Sequence, residues 1–197
     1  ANVRQTYTVY ASGDIVVETS FQPGYAKLAP MPRFGTELLV NKALTALQWY
    51  GRGPVETYQD RQFEPVGLYR STVEKEWVDY SQPQENGNKT DVRWIALTNA
   101  QGVGLLAIGQ TPLSVAARQY SNDEIDRADY SWKLKPSDSI HLHLDHKQMG
   151  VGGIDSWTLN ALPLPQYRIP SDEVYSYRYR LSPIRGKGWE AKTKESF

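Results

Sequence analysis

The sequence predicts an all-β fold, an antiparallel sandwich with one short helix, and three observations carry that reading. Apolar and polar residues alternate with period two along most of the chain, which places successive side chains on opposite faces of a strand. Rings are abundant, with 6 Trp and 13 Tyr in 197 residues, and aromatic side chains suit a pleated, half-buried surface. Gly, Pro, Asn and Asp interrupt the alternating runs at short intervals, as turn residues do.

Thr6 to Phe21 reads as a strand, a Ser12-Gly13-Asp14 turn and a second strand. Gly35 to Gly51 supplies two more, with Leu38, Val40, Leu44, Leu47 and Trp49 as the inward residues. Val92 to Asn99, a turn over Ala100-Gln101-Gly102, and Val103 to Gly109 form a hairpin. Leu113 to Tyr120, Ile140 to Leu144 and Tyr175 to Leu181 continue the pattern. In the last of these Tyr175, Tyr177 and Tyr179 share one face, and Arg178 and Arg180 share the other. Ser121 followed by Glu124 has the spacing of a capping box, predicting a short helix. Pro83 to Thr90 reads as a polar loop. There is neither a repeat nor a linker composition, so residues 1–197 are expected to form one domain.

A chain of 197 residues buries roughly 70% of its unfolded surface, enough for a core without staples. Lys plus Arg number 22 and Asp plus Glu 22, a balance that argues against nucleic acid as a partner. No apolar run is long enough to span a membrane, and the alternating first residues do not look like a secretory leader. Cysteine is absent, which excludes thiol nucleophiles, thiolate metal sites and disulfides and leaves the compartment open.

Several motifs bear on chemistry. Gly102 to Ala107 touches a dinucleotide-binding pattern, but strand residues stand where a helix should open. His141 and His143 share a strand face, and His146 lies close by. With a third ligand that pair suits zinc, although solvated His alternating with buried Leu142 and Leu144 accounts for it equally well. Glycoside hydrolysis needs two facing carboxylates. Glu56, Asp60, Asp145 and Asp155 sit in loop-like surroundings, but no pair among them stands out, so no catalytic residue and no metal ligand is assigned. Three segments look too specific for ordinary turns: Trp49 to Arg61, Pro83 to Asn88, and Met149 to Trp157. In the third, closely spaced glycines permit tight backbone approach and deliver Asp155, Ser156 and Trp157, a ring beside polar groups suited to a sugar. The plainer reading is a hairpin whose Trp plugs the core.

These segments carry a family resemblance. WYGRGPVETYQDR resembles the W-x-G-x-G-P-x-E-x-Y-x-D-R signature of the C-terminal domain of glycoside hydrolase family 2 β-galactosidases. MPRFG, SVAARQYSNDEIDRA, PQENGN and DHKQMGVGGIDSW resemble other stretches of that domain, so the matches run from about Met31 to Trp157. The resemblance implies an antiparallel β-supersandwich similar to the galactose mutarotase fold. It also implies a parent enzyme that hydrolyses terminal β-D-galactosides such as lactose with retention. Nucleophile, acid/base and the magnesium and sodium ligands would belong to a separate (β/α)₈ barrel in the same polypeptide, so this chain would be inactive alone and need no cofactor of its own.

By position, Trp157 matches a Trp that stacks on the sugar or aglycone. Gly53 and Glu56 fall in a loop beside the pocket, and Asp155 and Ser156 adjoin Trp157. The family has G-G-D-[DN]-S-W where this chain has Ile154. If that Asp orders the loop by hydrogen bonds, Ile154 is expected to be packed instead. By the resemblance the chain is expected to start inside the family domain, after its first strands, which would leave an exposed sheet edge. Partners implied are a galactoside, the barrel and a homo-oligomer, with no nucleic acid or membrane, in the cytoplasm or periplasm of a bacterium. Two other functions fit the same residues: a free-standing carbohydrate-binding module, and a mutarotase-like enzyme using His143 with Glu56 or Asp145.

Overall fold

The computed structural model describes residues 1–25, 28–155 and 158–195. Its strands are β1 (Asn2–Val9), β2 (Ile15–Gln22), β3 (Arg33–Asn41), β4 (Ala46–Arg52), β5 (Val66–Thr72), β6 (Lys89–Thr98), β7 (Val103–Arg118), β8 (Ser139–Gln148) and β9 (Tyr175–Arg185). One α-helix, α1 (Asn122–Arg127), and short 3₁₀ turns complete the described residues. All strand pairs are antiparallel.

The strands follow the order β1-β2-β9-β7-β6-β4-β5, and β8 joins β7 to β3. The 16 residues of β7 make this possible. Its first half, Val103 to Gly109, lies between β6 and β9, and its second half, Ser114 to Arg118, pairs with β8. Between the halves the exposed stretch 110–112 ends in Pro112, a residue without an N–H for the ladder, and strands that bend this way carry a sheet across its own face. The β8–β3 ladder is thereby laid over β2 and β9. Phe21, Phe34, Tyr175 and Tyr177 meet in the space between, with ring centroids 5.6–6.1 Å apart. The Tyr177 hydroxyl crosses the core to donate to the Leu144 carbonyl at 3.1 Å. β1 lies at an edge with all eight residues exposed. Val3, Tyr7 and Val9 lie opposite Phe21, Val17 and Ile15, so the core side of β1 stands open to solvent.

The expected elements appear, and so do the expected inward residues: Leu47 and Trp49 are buried, and Leu38, Val40 and Leu44 pack against the same core. The Ser12-Gly13-Asp14 turn joins β1 to β2, with Gly13 at φ +85°. β5 is an addition to the sequence reading. Four expectations need correction. First, the capping box is half formed: Ser121 Oγ accepts from the Glu124 N–H, but the Glu124 carboxylate takes the Lys135 N–H instead. Second, His141 and His143 are buried like Leu142 and Leu144, because β8 is covered on both faces. Third, in the polar segment 83–90, Asn86, Asn88, Lys89 and Thr90 are buried, and β6 already begins at Lys89. Fourth, Ile154 is 88% exposed and is not packed.

Candidate functional site

The three segments singled out in the sequence converge, and carboxylates tie them together. At the end of β4, Trp49 donates through Nε1 to the Arg52 carbonyl at 2.9 Å and stacks on Tyr69. Gly53 lies against this pair: a Cβ there would sit 3.0 Å from each ring, so a side chain at this position would press on both rings. From Gly53 it leads into the loop carrying Glu56 and Asp60.

Glu56 joins this loop to the second segment. Its carboxylate accepts from the Tyr80 hydroxyl at 2.5 Å, from the Gly87 N–H at 2.7 Å and from Arg61. Thr57 extends the junction, its N–H donating to the Asn88 carbonyl and its carbonyl accepting from the Asn88 amide, both at 2.8 Å. Burial pushes the Glu56 carboxyl up, but the bonds from Tyr80, Gly87 and Arg61 outweigh it and hold the group below its ordinary range.

Asp60 joins the same loop to the third segment. It accepts from the Val151 N–H at 3.1 Å and the Gly152 N–H at 2.6 Å. Glycines are required for that approach, since a Cβ at Gly150 would fall 2.4 Å from the Asp60 carboxylate. Ile154 donates its N–H to the Asn160 carbonyl at 2.8 Å, so main-chain bonding holds it where side-chain packing was expected. Asp155 accepts from the Thr158 N–H at 2.8 Å and the Thr158 hydroxyl at 2.7 Å, across the two positions between them. Ser156 and Trp157, both expected at the site, lie outside the described residues. Beside this loop is a cavity of about 520 Å³ bordered by Asp60, Gly153, Ile154, Leu164 and Tyr167.

A layer of charge that the sequence reading did not assemble lies behind the loops. Asp145 is paired with Arg33 at 2.8 Å, and a Cβ at Gly35 would overlap the Asp145 carboxylate, so this glycine and the adjacent irregularity in the β3–β8 register make room for it. Glu85 of the second segment pairs with Arg118 and lies 3.9 Å from Arg33. Burial pushes the Asp145 carboxyl up to about 6, only partly offset by Arg33. His143 contacts Arg33 through Nδ1 at 3.3 Å while Nε2 is buried without a hydrogen-bond partner among the described residues. Burial first, then Arg33 and Arg118, hold its imidazole far below the ordinary range. His141 is taken up by Glu37 at 2.5 Å and Ser137 at 3.0 Å, and His146 packs its ring on Phe34 and Tyr177. The three imidazoles therefore do not converge on one point as zinc would need, and His143 is enclosed where a mutarotase-like acid would have to meet substrate. The signal for this layer was long-range ion pairing, which no local spacing encodes.

Comparison with known proteins places the chain among relatives of one family. The family model for the β-galactosidase small chain matches residues 1–181. A β-galactosidase of Priestia megaterium is 39% identical over 180 residues, covering 91% of this chain and 17% of that protein. One from Lactobacillus delbrueckii subsp. bulgaricus is 33% identical with the same coverage. One from Streptococcus thermophilus is 30% identical over 185 residues, 92% of this chain and 18% of its own length. The chain thus spans less than a fifth of the length of the relatives it matches.

Proposed function

The chain belongs to the family of β-galactosidase small chains, and from that membership we propose that it completes the sugar-binding pocket of a separate (β/α)₈ catalytic domain. The reaction is hydrolysis of terminal β-D-galactosides such as lactose with retention, the two carboxylates belonging to the barrel. Magnesium and sodium would belong to the barrel as well.

The observation that carries this reading is the tie between Asp60 and the Val151 and Gly152 N–H groups. It couples the loop of Gly53 and Glu56 to the stretch leading to Asp155, Ser156 and Trp157. Trp157 supplies a stacking surface for the sugar, and Ser156 a hydroxyl beside it. Glu56 and Asp155 have carboxylates engaged within the protein, so they serve by holding the loops in place. Orientation of this kind lowers a barrier without any group of this chain reacting.

The test is Trp157→Ala in the whole β-galactosidase. Loss of one stacking ring is worth about 1 kcal/mol, so KM for lactose should rise roughly five- to tenfold with thermal unfolding unchanged. An unaltered KM would remove Trp157 from the site. Separately, the 197-residue chain should not hydrolyse a chromogenic β-galactoside; turnover surviving repurification would mean that it carries its own carboxylate pair.

A further inference from the structure

We propose that a cavity beside Trp132 binds a saccharide, one pyranose ring stacking on the indole while neighbouring polar side chains take its hydroxyls. The observations lie on the segment following α1, on the 73–79 stretch and on Gln119 and Tyr120 just after β7, outside the three segments tied together by Glu56 and Asp60. Tyr130 and Trp132 hold their rings near parallel, at 12° with centroids 5.9 Å apart. Both are open to solvent, Trp132 at 78% exposure. Lys133 secures the pair: its ammonium stands 5.2 Å and 5.5 Å from the two ring centroids and bonds Asp129 at 3.0 Å. An exposed indole held in one orientation gives up little rotamer freedom when a flat ligand settles on it.

The cavity measures about 340 Å³ and is bordered by Glu74, Trp77, Asp79, Gln119, Ser131 and Trp132. That is near the small end of ligand sites, which start at roughly 300 Å³, and suits one sugar ring better than a long glycan. Buried Val73 adds an apolar surface, and Trp77 meets Tyr120 edge-on at 4.6 Å on another wall. The side chains of Glu74, Asp79, Gln119 and Ser131 have no hydrogen bond or ion pair to any described residue. Two aromatic walls with four unengaged acceptors and donors match a neutral polyol that has an apolar C–H face. The two carboxylates disfavour phosphates and other anions.

The test is a titration of the 197-residue chain with methyl β-D-galactoside, lactose and methyl α-D-mannoside, following the indole N–H resonances by ¹H–¹⁵N NMR. At least one sugar should shift the Trp132 signal saturably. Trp132→Ala should weaken that binding roughly tenfold, since a stacking platform is lost, and Trp132→Phe should restore most of it. Glu74→Gln together with Asp79→Asn should weaken it severalfold with the circular dichroism spectrum unchanged. Trp157→Ala should leave the Trp132 shift intact, so failure here and failure of the KM test above are separable. Absence of a saturable Trp132 shift with all three sugars would overturn the proposal, as would binding unaltered by Trp132→Ala.

Discussion

Two carboxylates, Glu56 in the loop after β4 and Asp145 in β8, are both enclosed by protein and yet respond oppositely. Glu56 receives one hydroxyl, one main-chain N–H and one guanidinium, and its charged form is favoured. Asp145 is buried with Arg33 as its paired cation, and its charged form is disfavoured. Burial acts on both; the number and placement of donors decide the sign. The loop is therefore held together by a charge the fold supports, whereas β8 carries a charge the fold barely tolerates.

The sharpest way to break the comparison is Arg33→Leu, which strands Asp145 without its cation. Removing one partner of a buried pair costs about 3–5 kcal/mol, read as a fall in stability during urea unfolding at pH 7. An aspartate whose folded pKa is raised to about 6 binds its proton more readily in the folded state. Its stabilising protonation is complete below the unfolded value and lost as pH rises through the folded one. The deficit of Arg33→Leu should therefore shrink between pH 7 and pH 5, and adding Asp145→Asn should recover part of it at pH 7. A deficit equal at both pH values would mean that Asp145 is not the stranded group.

Glu56→Gln should cost less, about 2 kcal/mol, because the neutral amide keeps some of the contacts and loses the charge-assisted strength of the rest. Its pH dependence runs the other way. Glu56 has a lowered folded pKa, so its contribution is present above the ordinary value of 4.5 and is lost as pH falls below it. Wild type and Glu56→Gln should differ at pH 7 and converge toward pH 3. A gap that persists in acid would point to packing and not to charge.

Both sites show what a linear sequence reveals. Alternation located most of the strands, because the period of two is a local property. β5 was harder to see: Leu68, which its alternation would place on an apolar face, is 54% exposed, so the pattern is not tied to burial. The WYGRGPVETYQDR, PQENGN and GVGGIDSW segments stood out by their unusual composition. That Asp60 latches the first to the third, and Glu56 the first to the second, could not be read from them, since the partners are 91 and 31 residues apart. The Arg33–Asp145 pair spans 112 residues and left no local trace apart from Gly35. His141 and His143 misled because alternation assigns faces without saying whether each face is covered.

The smallest effect on stability should come from Asp60→Asn, and it bears most directly on function. The asparagine side chain offers one oxygen where the carboxylate offers two, so it can keep the bond to Val151 or to Gly152 but not both in the observed geometry. An exposed bond of this kind contributes about 1 kcal/mol, and global unfolding should barely move because the loop is not part of the core. The local opening of residues 150–152 should register the whole of it: amide exchange at Val151 and Gly152 should quicken roughly fivefold, while amides in β8 and β9 stay unchanged. If the tie also orients Trp157, the whole enzyme bearing Asp60→Asn should show a raised KM for lactose in the same direction as Trp157→Ala, and the two effects should add to less than their sum. Independent, fully additive effects would separate the Asp60 latch from the sugar contact and leave it as a support for the loop alone.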